Sequence, residues 1–191
     1  MGLDMYLDRM PRYRHATAKD VLAVSNYFSW VDYNSRKEEK CTFKEWCGEL
    51  KMPPQHMIDF YKPYYTTKYS LWDTKHEYGY MGITEQVGYW RKANQIHAWF
   101  VDYVQNGIDD CDYHREITKG DLNYLLDLCQ RVLDDHSLAY ELLPTQSGFF
   151  FGGTEYDEYY FEDIENTIEI IKNVLETTDF DKEMIYYVSS W

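Results

Sequence analysis

Along the 191-residue chain the period of apolar and polar residues changes several times, and each change marks an element. At the start, Leu3, Met5 and Leu7 alternate with Asp4, Tyr6 and Asp8, the period of a strand with one buried face. Met184 to Ser190 holds Ile185, Tyr186, Tyr187 and Val188, which favour extended structure. Gly148 to Gly152 encloses Phe149, Phe150 and Phe151, a third strand candidate. An isolated two-strand ribbon is marginal, so these distant segments are expected to meet in one small sheet.

Helical periods supply most of the rest. Ala18 to Trp30 reads as a weakly periodic helix, with the charged stretch Ser35 to Lys40 as a loop or fraying end. Thr42 and Glu45 form a capping box for a short helix ending near Gly48, and Pro53 and Pro54 forbid continuation. From Pro53 to Met81 the pattern is irregular and aromatic, with Tyr69, Trp72 and Tyr78 among its rings; a segment this long without a period is often functional. Thr118 caps a helix whose stripe is Leu122, Leu125, Leu126, Cys129, Val132 and Leu133, and a short helix from Ser137 stops at Pro144. The last helix is expected to begin near Thr154, with Asp157 in its first turn and Phe161, Ile164, Ile168, Ile171 and Leu175 inward. The sum is a mainly helical α+β single domain spanning 1–191, its sheet built from the N-terminal, Phe149–Phe151 and C-terminal strands.

The stretch Thr84 to Gly107 reads as one capped amphipathic helix with Gly107 as its left-handed exit. Val87, Trp90, Ala93, Val101 and Val104 share its apolar face, and Asn94 and His97 interrupt that face. A buried amide and a buried imidazole must each find hydrogen-bond partners or cost several kcal/mol. Trp90, Asn94 and His97 at helical spacing would line one groove with Arg91 on its border. A ring, an amide and a cation suit a nucleotide-like or phosphorylated ligand, or else the polar pair ties the helix to a neighbouring backbone.

Composition narrows these choices. With 19 basic and 33 acidic residues the formal charge is −14, which repels phosphate backbones and disfavours direct nucleic-acid binding. The same charge would attract a basic groove on another protein through Glu155, Asp157, Glu158 and Glu162. Twenty Tyr against 9 Phe and 6 Trp mean that many large rings carry a polar tip. The four cysteines form no C-x-x-C pair, so reduced thiols are expected. No apolar run approaches the length of a membrane span or of a signal peptide, and a soluble protein of the cytoplasm is expected.

Motifs for chemistry are sparse. Asp110, Asp112 and His114 resemble the opening of a calcium loop, but Arg115 stands where that loop needs glycine. The glycine pair Gly152 and Gly153 precedes a helix start crowded with carboxylates, which oppose an anion there. Asp157, Glu158, Glu162 and Asp163 could instead hold a divalent metal, which keeps a metal-dependent hydrolase as a third reading; a solvated acidic face is the simpler account. No phosphate-binding glycine loop, dinucleotide fingerprint or nucleophile elbow occurs, so neither a cofactor nor catalytic residues are indicated.

Four strings carry a resemblance: MGLDMYL, GYWRKANQIHAWFVDYVQNGIDDC, LLPTQSGFFFGGTEYDEYYFEDIENTIEII and IYYVSSW. Together they resemble a family of small uncharacterised proteins of bacteriophages, prophages and their bacterial hosts. The resemblance implies no activity and no residue roles. It implies a setting, the bacterial host cell, in which a protein without catalytic motifs would be an accessory factor acting on host physiology or immunity. The expected function is thus a non-enzymatic binding protein for a small nucleotide-like ligand, or an acidic inhibitor occupying a basic host protein.

Overall fold

The computed structural model describes residues 2–65 and 80–191. Tyr69, Trp72 and Tyr78 lie outside the described residues. The fold is α+β and mainly helical, with a small antiparallel sheet. Its strands are β1 (Asp4–Pro11), the two-residue β2 (Tyr80–Met81), β3 (Thr84–Arg91) and β4 (Glu183–Ser190), in the order β2-β3-β1-β4. The chain divides into two compact units: Met1–Arg9, Gln86–Phe180 and Met184–Trp191 form the first, Met10–Glu85 and Asp181–Glu183 the second.

The second unit is built on α1 (Ala18–Arg36), α2 (Phe43–Cys47) and α3 (Gln55–Tyr61). Thr17 with Asp20 and Thr42 with Glu45 form reciprocal capping boxes, the latter as expected. The first helix runs through Arg36, beyond the expected end at Trp30, because the capped start and an unbroken run without Gly or Pro let it propagate. Rings with polar tips fill this unit. Tyr13 stacks on Phe60 at 4.2 Å, the Tyr61 hydroxyl donates to the Pro11 carbonyl at 3.0 Å, and the Trp30 indole donates to the Cys41 carbonyl at 2.8 Å.

The first unit packs α5 (Lys119–Asp134) and α7 (Glu158–Thr177) together with α4 (Asn94–Trp99) and the short α6 (Ala139–Leu142). Leu122, Leu125, Cys129 and Val132 of α5 are buried as the stripe predicts, and Thr118 caps the helix. Ile164, Thr167, Ile170, Ile171 and Val174 form the inner face of α7. That helix starts later than expected, because Asp157 rather than Thr154 is its cap and accepts from the Tyr160 amide at 3.2 Å. Among the described residues no helix is long and apolar enough to cross a membrane.

Two expectations are overturned. Thr84 to Gly107 is not one helix: Thr84–Arg91 is a strand, Lys92 turns the chain at φ +63°, and α4 begins at Asn94. Thr84, Val87, Tyr89 and Trp90 are strand formers and Gly88 weakens a helix, so this half settles as a strand of the sheet. Only the second half coils, with α4 running into a π-turn over Phe100–Val104 before Gly107 exits at φ +76°. Phe149–Phe151 is not a strand either. The Phe151 amide returns to the Gly148 carbonyl at 3.3 Å, which closes a turn in which Phe149 is 95% exposed. The Leu3 amide donates to the Phe150 carbonyl at 3.1 Å beside the sheet end, and β3 fills the strand position instead.

Gly88 is required by close approach. A Cβ there would meet Ile170 Cγ2 of α7 at 2.8 Å and Leu7 Cβ of β1 at 3.2 Å. Gly88→Ala is therefore expected to cost about 1–3 kcal/mol through overpacking, read by denaturant unfolding; an unchanged midpoint would show that α7 does not lie against β3.

Asp8 departs from the alternation of β1: it is buried, and the Tyr113 hydroxyl donates to Oδ2. Burial pushes its carboxyl from the ordinary 3.8 up to about 6, against the pull of that hydrogen bond. The folded state therefore holds this proton more tightly than the unfolded chain. Its contribution is favourable below pH 4, is lost as pH rises through about 6, and stays lost above. Asp8→Asn, which keeps an acceptor for Tyr113, should be more stable than the parent at pH 8 by on the order of 2 kcal/mol and should gain nothing at pH 4. Parallel stability curves for the two proteins across that range would refute the burial of a charge at this position.

Candidate functional site

The strand-to-helix junction that follows β3 places every residue of the central stretch. The Lys92 amide donates to the Leu3 carbonyl at 2.8 Å, and the Asn94 amide donates to the Lys92 carbonyl at 2.8 Å. This turn points Asn94 toward the loop between α6 and α7. Its side-chain Nδ2 donates to the carbonyls of Phe151 at 3.2 Å and Gly153 at 2.7 Å, while Oδ1 accepts from the Gln146 amide at 2.9 Å. The amide is 2% exposed and fully engaged with backbone. Of the two uses open to Asn94, tying its element to a neighbouring backbone is the one realised.

His97 is entirely buried. Its Nδ1 lies 2.7 Å from the Tyr187 hydroxyl, and Nε2 lies 3.2 Å from Asp109 Oδ1 but off the line that a hydrogen bond needs. The ring meets the edge of Phe151 at 4.9 Å, and Tyr187 stacks on Phe100 at 4.1 Å and 9°. Burial lowers the imidazole pKa more than Asp109 raises it, which favours the neutral ring; in the tautomer with its proton on Nε2, beside the Asp109 carboxylate, Nδ1 accepts from the Tyr187 hydroxyl. Burial also pushes the Tyr187 hydroxyl well up, which keeps it protonated. Trp90 is likewise interior: its indole donates to Thr167 Oγ1 at 2.8 Å, and that hydroxyl donates to the Asp163 carbonyl at 2.6 Å.

Trp90, Arg91, Asn94 and His97 therefore do not share one groove. A strand alternates its faces, so Trp90 enters the core while Arg91 stays exposed. Arg91 and Asn94 do meet, in a cleft of about 380 Å³ beside α4 and the start of α7. Trp90 and His97 lie outside it, in the core. Lys92 joins Arg91 as the second cation of the cleft, and Gln95, Thr145 and Tyr160 form further wall. Gly152 and Gly153 border it too; Gly152 sits at φ +93°, and a Cβ there would press on Lys92 at 3.2 Å.

Opposite charges complete the lining. Glu155, Asp157, Glu162 and Asp163 all reach this cleft, whereas Glu158 is exposed away from it. Asp163 is the most enclosed of these carboxylates. Burial pushes it up to about 6, with Glu162 and Asp157 adding to the rise and the Gln95 amide, 3.4 Å away, opposing it. Among the described residues no three His, Cys, Asp or Glu side chains are placed to hold a metal ion, the Asp157 to Asp163 cluster included. The Asp110, Asp112 and His114 loop is tied within itself, with His114 Nε2 2.8 Å from Asp110 Oδ1.

Sequence reasoning missed Lys92 and Gln95. A signal was present in the polar cluster Arg91, Lys92, Asn94 and Gln95, interrupted only by Ala93. Chemically the cleft is lined by two cations, four carboxylates and two tyrosines, a set of donors and acceptors suited to a polar molecule that carries both kinds of group. No family model, curated protein or solved structure matches the chain.

Asn94 acts as a staple on the cleft wall, so Asn94→Ala leaves the buried Phe151 carbonyl, the part-buried Gln146 amide and the Gly153 carbonyl without its side chain as partner. The expected loss is about 2–4 kcal/mol, with faster hydrogen exchange at the Gln146 amide. Exchange at Gln146 unchanged from the parent would remove the staple role.

Proposed function

We propose that the protein is a non-enzymatic binding protein that holds a small nucleotide-like, phosphorylated ligand in the cleft bordered by Arg91, Lys92 and Asp163. The lining by charges of both signs carries this reading. Arg91 and Lys92 suit the phosphate, with arginine able to grip it bidentately. The carboxylates are acceptors for the exocyclic amine and ring N–H groups of a base, and the exposed Tyr159 offers a ring against its face. A bare anion would meet four carboxylates and be repelled, so the cleft favours a ligand with donors at its other end.

In the setting that the family resemblance implies, such a protein would serve a phage by withdrawing a signalling nucleotide from host defence. The second reading is an acidic inhibitor that occupies a basic groove of a host protein, supported by the exposed carboxylates Glu155, Asp157, Glu158 and Glu162 around the start of α7. Arg91 and Lys92 in the same cleft weaken the continuous negative surface this reading needs.

Titration calorimetry against linear and cyclic nucleotides tests the first reading. One of them should bind, and Arg91→Ala with Lys92→Ala should weaken it by about tenfold or more, since each charge-assisted contact is worth on the order of 1.5–3 kcal/mol. If none binds, or if the bound one is indifferent to losing both cations, the reading fails.

A further inference from the structure

Of the four carboxylates that line the cleft, Asp163 differs from the others in what its oxygens touch. Glu155, Asp157 and Glu162 are exposed, and Asp157 already accepts from the Tyr160 amide as the cap of α7. Asp163 is half-buried: Gln95 Nε2 donates to Oδ2 at 3.4 Å, and Oδ1 has no partner among the described residues. Its backbone is fixed within α7, where the Thr167 hydroxyl donates to the Asp163 carbonyl at 2.6 Å and accepts from the Trp90 indole at 2.8 Å. One long hydrogen bond compensates little for a carboxylate drawn partly out of water, which is why burial raises this carboxyl to about 6. At pH 8 it is nonetheless ionised, and an ionised carboxylate only accepts.

What Asp163 lacks is a pair of neighbouring N–H donors. Among the common bases only guanine carries two on one edge, N1–H and the 2-amino group, and a carboxylate accepts from both at once. Adenine and cytosine set an acceptor nitrogen beside their exocyclic amine, and uracil sets its N–H between two carbonyls. Each of those edges would bring a lone pair against a carboxylate oxygen. The other end of a nucleotide is an anion, and Arg91 and Lys92 line the same cleft. A volume of about 380 Å³ lies at the lower end of the range for small-molecule sites, which suits one nucleotide rather than two joined.

We propose that the cleft selects a guanine nucleotide, with Asp163 accepting from N1–H and the 2-amino group of the base; this rests on the nucleotide reading and specifies the base. A site that turns a partly desolvated acceptor toward a ligand N–H rejects the analogue lacking that group, because the acceptor is then left unpaired. Exposed Glu155 and Glu162 stay solvated whichever base is present, so the discrimination falls to Asp163.

Calorimetry of the whole protein at pH 8 with the 5′-monophosphates of guanosine, inosine and adenosine provides the test, since inosine differs from guanosine only in lacking the 2-amino group. The guanosine nucleotide should bind about tenfold or more tighter than either of the others. In Asp163→Asn, whose amide has one acceptor for two donors, the preference over inosine should shrink to about threefold or less. Equal binding of the guanosine and inosine nucleotides by the parent, tighter binding of adenosine, or a preference that survives Asp163→Asn would overturn the guanine assignment and leave the nucleotide reading standing. The parent comparison needs no variant, so it decides even if Asp163→Asn does not fold. An absence of binding by all three also overturns the assignment, and the nucleotide reading falls with it only if the wider panel of linear and cyclic nucleotides fails to bind.

Discussion

One buried amide holds the first unit's cleft together. Asn94 leaves the sheet at the end of β3, opens α4, and engages backbone at Gln146, Phe151 and Gly153 through both ends of its side chain. An amide in that interior without partners would cost several kcal/mol, so loop and helix are held to one arrangement. Three parts of the chain distant in sequence are thereby brought together. Arg91 and Lys92 come from the strand exit, the glycine pair from the loop, and the carboxylates from the start of α7.

The same rule of paired polar groups runs through the interior and explains the tyrosine-rich composition. Tyr160 buries its ring and donates to the Leu143 carbonyl at 2.8 Å, Tyr187 meets His97, and Tyr113 meets Asp8. Each gives the apolar area of a large ring together with a directed bond, which phenylalanine lacks. Two of these pairings enclose groups that titrate, and burial moves them oppositely: His97 is kept neutral by a lowered pKa, Asp8 by a raised one. Both shifts favour the uncharged form, as a low-dielectric interior requires.

Elements with a local cause were legible. The capping boxes at Thr42 and Thr118 and the stripe of α5 depend on residues a few positions apart, the N-terminal strand shows its alternation and the C-terminal one its run of strand formers. Of the expected α7 stripe, Ile164 and Ile171 are buried and Phe161, Ile168 and Leu175 half-buried. The stretch from Thr84 was not legible, because Val87, Trp90 and Ala93 fit a helical face and strand partners are invisible to a local pattern. Pairing in the sheet made its first half a strand, which split Trp90 from Arg91 and left Lys92 as the turn. Phe149–Phe151 misled in the reverse sense: its bulky rings favour a strand, but the flanking Gly148 and Gly152 closed a turn first.

Sequence alone therefore determined the class of fold, the capping boxes at Thr42 and Thr118 with their helices, the two terminal strands, and the fact that Asn94 and His97 required partners. Those follow from propensity, periodicity and the cost of unpaired polar groups, all of them properties of neighbouring residues or single side chains. Tertiary structure alone decided what the partners are: backbone of a distant loop for Asn94 and the Tyr187 hydroxyl for His97. It also decided that Arg91 and Lys92 line one cleft with Glu155, Glu162 and Asp163, because the charge of a cleft is set by which surfaces pack beside one another and no local pattern encodes that.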